Sequence, residues 1–298
     1  GRQPPPPAGF GDAACPHPAV AGPPPDPGRW YVVCANILGS CYGTTGPLTP
    51  MPPTGEPLYA DFPALTIRDM ARAHRLLADH LGIGRVHALV GSSVGGFQAL
   101  EWITDEPDRF GRLILIATDA KASPWTIAID ETQRMAILAD STFGERRPDA
   151  AAGGLAAARA IGLLSYRGPE GYNRTQQDPP ADTVAATHRA CTYQRHQGDK
   201  LTARYNAYSY VAILNAFDTH DCGRARGGTE AALRRIACPT IVVGISTDIV
   251  FTVPEMKRLA AAIPGAVYAQ IDSAFGHDGF LVEHARLNAL LTPFINNP

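Results

Sequence analysis

Short apolar runs alternate with amphipathic stretches on both sides of a long middle region. The apolar runs predict strands over residues 30–35, 85–90, 113–117, 240–244 and 267–271. The stretches between them predict helices over 66–81, 97–103, 254–262 and about 280–291. Thr66, with Asp69 three residues later, predicts a capping box at the first of these helix starts. This alternation predicts a mostly parallel sheet with helices on both faces and its sites at the carboxyl ends of the strands.

Residues 121–235 interrupt the alternation, because strand-like runs stop there and helical periodicity takes over, as in 155–164 and 205–217. We therefore predict a helical lid inserted into a core that is formed by residues 30–120 and 236–298. Residues 1–29 are rich in proline, which favours extended, solvated backbone, and they predict a disordered tail without a signal peptide.

The bulk composition narrows the function classes. A formal net charge of −2 without a long basic run argues against nucleic acid and against a polybasic membrane patch. No apolar stretch approaches the roughly 18 to 20 residues of a membrane span. The six cysteines form neither CxxC pairs nor a Cys/His metal spacing, so we expect no metal site and a reduced, cytoplasmic compartment.

The run Gly91-Ser92-Ser93-Val94-Gly95 matches the nucleophile elbow G-x-S-x-G. A predicted strand precedes it and a predicted helix follows it, which is the context that the motif requires. The turn would lift the Ser93 hydroxyl clear of the sheet, at a helix start whose free N–H groups favour developing negative charge. The alternative is a glycine-rich turn that merely packs closely.

A nucleophilic serine needs a base, and the base needs an orienting acid. Asp248 and His277 each follow a predicted strand, and they complete the chain order serine, acid, histidine. Asp248 could instead cap the helix that follows it. His220 is the rival for the base, whereas His87, inside the elbow strand, is expected to pack.

Several longer phrases are more specific than the elbow: CANILGSCYGTTGP at 34–47, TIRDM at 66–70, FQALEW at 97–102, YNAYSY at 205–210, GRARGG at 223–228 and GHDGFL at 276–281. They resemble the homoserine O-acetyltransferase family of the α/β-hydrolase superfamily, from about Trp30 to the C-terminus. The resemblance implies transfer of an acetyl group from acetyl-CoA to L-homoserine through an acyl-serine, in methionine biosynthesis. Acetyl-CoA is then a co-substrate, no cofactor is needed, and a homodimer is expected.

The resemblance also implies an amino-acid site made by an arginine of the insertion and by the aspartate after the catalytic histidine. The matching residues are Arg159 and Asp278. The chemistry agrees, since a zwitterion needs a cation for its carboxylate and an anion for its ammonium group. A solvated helix arginine and a structural loop carboxylate are the alternatives.

Two features depart from the family pattern. Gly91-Ser92-Ser93-Val94-Gly95-Gly96 stands where the family usually has Gly-Gly-Ser-Met-Gly-Gly. The family's strands before residue 30 are expected to be missing, and with them the loop that donates a second oxyanion-hole N–H beside that of Val94. Losing one such donor typically costs about 10²- to 10³-fold in kcat, so a weakly active or inactive protein is one alternative. A serine esterase with the same triad is another, and the sequence leaves open acetyl against succinyl donors and homoserine against serine acceptors.

Overall fold

A computed structural model of the chain describes residues 28–180 and 187–296. The predicted tail, 1–29, therefore lies outside the described residues except for Gly28 and Arg29. Within the described ranges, no helix has both the length and the apolar character that crossing a membrane would take.

Four parallel strands form the central sheet, in the order β3-β4-β5-β6. They are β3 (Leu89–Ser92), β4 (Leu113–Ile116), β5 (Thr240–Ile245) and β6 (Val267–Ile271); a separate two-stranded hairpin pairs β1 (Pro50–Met51) with β2 (Glu56–Pro57). Ser92 pairs with Ile116, and Ile245 pairs with Ile271, so the carboxyl ends of all four strands lie at one edge. The prediction of a mostly parallel α/β sheet is confirmed.

The strand predicted over residues 30–35 is wrong. The backbone of the segment belongs to no strand, and Tyr31 is 76% exposed. An apolar run supplies only one half of a strand pair, and none of the described strands lies beside this one to complete its hydrogen bonds. Its anchor is instead the Trp30 ring, which stacks on His87 at 3.9 Å between ring centroids.

Helices cover both faces of the sheet: α1 (Ile67–His80), α2 (Val94–Asp105) and α9 (Val253–Ala262) on one side, with α10 (Gly279–Val282) and α11 (His284–Asn296) towards the C-terminus. The α1 start has the predicted capping box between Thr66 and Asp69. One buried cluster, which includes the fully buried Phe97, packs α1, α2 and α9 against the sheet. A second buries Leu287 of α11 against the other face. The last helix, predicted as one element, is divided in two at Glu283.

Residues between β4 and β5 fold into helices α3 (Pro124–Leu138), α4 (Ala152–Tyr166), α5 (Pro169–Gln176), α6 (Arg189–Thr202), α7 (Ala207–Asp218) and α8 (Thr229–Leu233). A third apolar cluster packs α3, α4, α6 and α7 together, with Leu155 of α4 and Leu201 of α6 almost fully buried. The division into core and lid at residues 121 and 235 remains a prediction.

A buried ion-pair network ties the insertion back to the core. The Glu101 carboxylate on α2 lies 2.8 Å from Arg68 Nε on α1 and 2.7 Å from an Arg226 nitrogen. Glu101 and Arg226 side chains are each only 4% exposed. Arg226 also binds Asp105 at 2.7 Å, so the loop between α7 and α8 is bound to two residues, Glu101 and Asp105, one turn apart on α2.

We expect Glu101→Ala to lower the free energy of unfolding by about 3 kcal/mol, because it leaves buried guanidinium groups without their shared partner. Urea denaturation measures this loss. The control is Glu230→Ala, which removes an exposed pair with Arg234 and is expected to cost about 0–1 kcal/mol. Equal losses in the two variants would contradict a stabilising role for the network.

Candidate active site

Ser93 occupies a sharp turn between β3 and α2. Its backbone has φ 51° and ψ −125°, a conformation that side-chain-bearing residues rarely adopt. The flanking glycines permit this turn: a Cβ on Gly91 would lie 2.4 Å from the Gly95 carbonyl oxygen, and one on Gly96 would lie 2.4 Å from the Thr118 side chain. The Ser93 N–H donates to the Ile116 carbonyl at 3.0 Å, and Thr118 Oγ1 donates to the Ser93 carbonyl at 2.8 Å. These bonds fix the turn against the end of β4.

His277 and Asp248 complete a chain of hydrogen bonds that starts at Ser93. His277 Nε2 lies 2.9 Å from Ser93 Oγ, and His277 Nδ1 lies 2.8 Å from Asp248 Oδ2. Asp248 follows β5, and His277 lies in a 3-10 turn after β6, so both side chains come from strand ends at one edge of the sheet. The structure brings the three predicted residues together in the expected order.

The Asp248 carboxylate is buried and fully engaged. Its Oδ1 accepts the N–H groups of Val250 and Phe251 at 2.7 and 3.1 Å, while its Oδ2 faces the histidine. Because a carboxylate only accepts hydrogen bonds, this contact places the proton of a neutral His277 on Nδ1. The lone pair of Nε2 is then directed at the Ser93 hydroxyl.

The surroundings of His277 set its basicity. Burial alone would lower its pKa, but the Asp248 carboxylate at Nδ1 and nearby Asp278 outweigh this effect, so the pKa is raised above 6.5. Three aromatic rings enclose the imidazole, with centroids at 5.3 to 5.8 Å: Tyr166, Phe251 and Phe280. They limit the access of water to the base.

Val94 is the first residue of α2, immediately after Ser93. Amides in the first turn of a helix have no intrahelical acceptor, and the helix dipole adds partial positive charge there. The Val94 N–H is therefore suited to stabilise negative charge on an oxygen bound to Ser93.

The two predicted substrate-binding residues differ in how they are paired. Arg167 Nε lies 2.8 Å from Asp278 Oδ2, so Asp278 already has a cationic partner. Burial is the largest influence on the Asp278 carboxyl and raises its pKa, although Arg167 acts in the opposite direction. No carboxylate of the described residues lies within ion-pair distance of Arg159. Its guanidinium carbon instead lies 5.9 Å from the centre of the Tyr166 ring.

Sequence reasoning missed Tyr166, whose ring contacts both Arg159 and His277, and Arg167, which pairs with Asp278. Tyr166 lies seven residues after Arg159, two turns along α4, and therefore on the same face of that helix. This seven-residue spacing from Arg159 is the sequence feature that could have identified Tyr166. Burial raises the pKa of Tyr166 well above its ordinary value, so the phenol stays protonated and can donate a hydrogen bond.

A polar group within the insertion was also missed. Tyr210 Oη lies 2.6 Å from Gln133 Oε1, and Gln133 Nε2 donates to Asp130 Oδ1 at 3.0 Å. Burial first, and then the neighbouring Asp218 carboxylate, raises the pKa of Asp130 to about 8. Asp130 is therefore mostly protonated near neutral pH, and the group carries little net charge.

His220, the rival base, takes no part in this arrangement. It is 4% exposed and stacks on Phe97 with ring centroids 4.0 Å apart. Burial lowers its pKa to about 3, so the ring is neutral. Its ring nitrogens have no hydrogen-bond partner among the described residues, whereas His277 reaches Ser93. No cluster of side chains suited to hold a metal ion occurs in residues 28–180 and 187–296.

Comparison with known proteins places this geometry in a family. The sequence matches the alpha/beta hydrolase fold family over residues 9–284. A homoserine O-acetyltransferase of Cyclobacterium marinum is 44% identical over 269 residues, which cover 90% of this chain and 76% of that protein.

Two solved structures share the fold at a TM-score of 0.77 and 22% identity, and each alignment covers 85% of this chain. They are a Bacillus anthracis homoserine O-acetyltransferase, covered over 71% of its length, and esterase E22, covered over 73%. At this identity they show the fold alone, which transferases and esterases share. The sequence similarity is more specific, and it shows that this chain belongs to the homoserine O-acetyltransferase family of α/β-hydrolase-fold enzymes.

Proposed function

We propose that the protein transfers an acetyl group from acetyl-CoA to the hydroxyl of L-homoserine through an acyl-enzyme on Ser93. The observation that carries this proposal is the unbroken hydrogen-bond chain from Ser93 through His277 to Asp248, in a chain of this family. We also propose the wider setting that the family suggests: methionine biosynthesis, a cytoplasmic location and a homodimer.

In the first half-reaction, His277 Nε2 takes the hydroxyl proton while Ser93 Oγ attacks the thioester carbonyl. The resulting oxyanion accepts a hydrogen bond from the Val94 N–H. When the tetrahedral intermediate collapses, the carbon–sulfur bond breaks and His277 returns the proton to the departing thiolate. Asp248 stays ionised and stabilises the imidazolium that forms beside it.

In the second half-reaction, the homoserine hydroxyl attacks the acyl-enzyme, as water would in an esterase. His277 Nε2 removes its proton, the hydroxyl oxygen attacks the acyl carbon, and Ser93 leaves as its alcohol after recovering the proton. The products are O-acetylhomoserine and free enzyme, so protons and bonds balance over the two steps.

The acceptor must be held, because water competes for the acyl-enzyme. Arg159, which has no carboxylate partner among the described residues, supplies a bidentate cation for the homoserine carboxylate. Asp278 supplies an anion for the ammonium group. A carboxylate has about four lone-pair sites, so Asp278 can keep Arg167 and accept a substrate N–H as well.

The first prediction from the proposed function concerns the covalent intermediate. Incubation with acetyl-CoA is expected to leave an acetyl group on Ser93, and Ser93→Ala should abolish this label. Mass spectrometry of the peptide detects it. Ser92→Ala is the matched control, since it removes the neighbouring hydroxyl and should keep the label. A label that survives in Ser93→Ala would refute the nucleophile assignment.

The second prediction concerns pH. His277 acts as a base only when neutral, and its pKa is raised, so kcat/KM is expected to fall as the pH drops through a value above 6.5. Asp248→Asn removes the carboxylate that raises this pKa, so the acid limb should move to lower pH. Turnover should also fall by about 10⁴-fold, because the asparagine no longer fixes the tautomer. If the acid limb of the pH profile does not move in Asp248→Asn, then Asp248 does not raise the pKa of the base.

The third prediction decides between a transferase and an esterase. Release of CoA from acetyl-CoA should accelerate when homoserine is added to the wild type. Arg159→Ala should lower kcat/KM for homoserine by about 10- to 100-fold, the cost of one charge-assisted contact, and leave acylation of Ser93 nearly unchanged. Arg159→Lys keeps the charge without the bidentate fork and should fall between the two. If the rate of CoA release by the wild type does not change when homoserine is added, the esterase is favoured.

A further inference from the structure

An open surface pocket of about 430 Å³, with both polar and apolar lining, lies between helices α5 and α6 of the insertion, and Asn173, Arg174 and Gln177 on its wall are exposed. Its walls carry one guanidinium, three amides and one phenol ring. The lining residues are Tyr172, Asn173, Arg174, Gln176, Gln177 and Ala190. The mechanism derived above uses none of them.

The cavity adjoins the loop that presents the catalytic histidine. The Arg174 guanidinium carbon lies 5.2 Å from the centre of the Phe275 ring, and Phe275 precedes His277 by two residues. The Gly171 N–H donates to the Ala274 carbonyl at 3.1 Å, which fastens α5 to the same loop. A ligand in the cavity would therefore lie near the loop that carries His277.

The charges in and around the cavity favour an anion. No carboxylate of the described chain lies within 4.0 Å of the Arg174 guanidinium, and the Arg189 guanidinium reaches the Gln177 carbonyl at the cavity wall at 3.4 Å. Two carboxylates lie four residues from Arg174 in sequence: Glu170, on the same helix, and Asp178. Asp178 accepts from the Arg189 backbone N–H at 2.8 Å and lies 2.7 Å from His188 Nδ1. Arginine is suited to phosphate groups, and amides beside a phenol ring are suited to a planar heterocycle.

A second cavity offers a contrast within the same molecule. It has about 510 Å³ and is lined by residues that include Glu230, Arg234 and Arg258. There Arg234 is already paired with Glu230 at 2.5 Å. This cavity lies beside the C-terminal end of α9, before the first residue of β6, at the edge of the sheet remote from the strand carboxyl ends.

We propose that the α5–α6 cavity binds the phosphorylated adenosine end of the acyl-CoA donor, with Arg174 contacting its phosphate groups. This proposal rests on the proposed function, because it assigns a place to the part of the donor that does not react. A long flexible arm separates that part from the thioester, so the nucleotide needs a site beside the catalytic loop and outside the triad. Binding energy gained there holds the thioester at Ser93.

The test compares two acetyl donors, acetyl-CoA and S-acetyl-N-acetylcysteamine, which keeps the thioester and lacks the nucleotide. Arg174→Gln is expected to raise KM for acetyl-CoA by about tenfold, as for one lost charge-assisted contact, with kcat unchanged. The kinetics of the short donor should stay as in the wild type. Arg258→Gln, at the second cavity, is the matched control and should change neither donor.

A binding measurement separates failure of this proposal from failure of the proposed function. Calorimetry with adenosine 3′,5′-bisphosphate needs no acyl transfer, and it should show binding to the wild type that weakens about tenfold in Arg174→Gln. Equal binding to both proteins overturns the proposal, as does inorganic phosphate that displaces the nucleotide at the same concentration. An Arg174→Gln variant that slows both donors equally also overturns it, because Arg174 would then act through the catalytic loop. If the bisphosphate binds as expected and neither donor acylates Ser93, the proposed function fails and the site stands.

Discussion

The hydrogen bond between His277 Nδ1 and Asp248 Oδ2 is the interaction on which the arrangement of the site depends. It joins two loops that follow adjacent parallel strands, and the pairing of Ile245 with Ile271 brings the ends of those strands side by side. A shift of either strand by one residue would reverse its side chains and separate the two groups. All six residues of β5 are buried, and Ile241, Val242, Val243 and Ile245 pack in the two core clusters, so β5 resists such a shift.

The insertion contacts the same histidine and the residue that follows it. Its helix α4 ends at Tyr166, whose ring faces the imidazole, and Arg167 then pairs with Asp278. Glycines allow this close contact: a Cβ on Gly168 would lie 2.3 Å from the Ala274 carbonyl oxygen, and Gly276 has φ +63°. The loop that carries His277 is thus fixed on one side by the sheet and on the other side by the insertion.

Sequence patterns predicted the parts of the site that depend on chain order and local turns. The elbow, with its glycines at fixed positions, predicts Ser93 as the nucleophile, and Asp248 and His277 are predicted as its partners because each follows an apolar run. The structure places these three side chains within hydrogen-bond distance of one another in that order. The strand prediction for residues 30–35 is wrong for a physical reason. An apolar run has strand propensity, but a strand also needs a neighbour to complete its hydrogen bonds. The ion pair of Arg167 with Asp278 joins residues 111 positions apart, which no local pattern predicts.

That ion pair explains how two carboxylates can lie next to one histidine. Asp248 and Asp278 both raise the pKa of His277, and an unpaired Asp278 would compete to stabilise its charged form. Arg167 pairs with Asp278 and partly neutralises its charge, so Asp248 remains the direct partner of His277 Nδ1. An ammonium group bound at Asp278 would weaken its field at the histidine further. Since the field of a nearby anion favours the imidazolium, binding of an ammonium group at Asp278 would lower the pKa of His277; in the proposed reaction this would keep the histidine neutral for the second half-reaction.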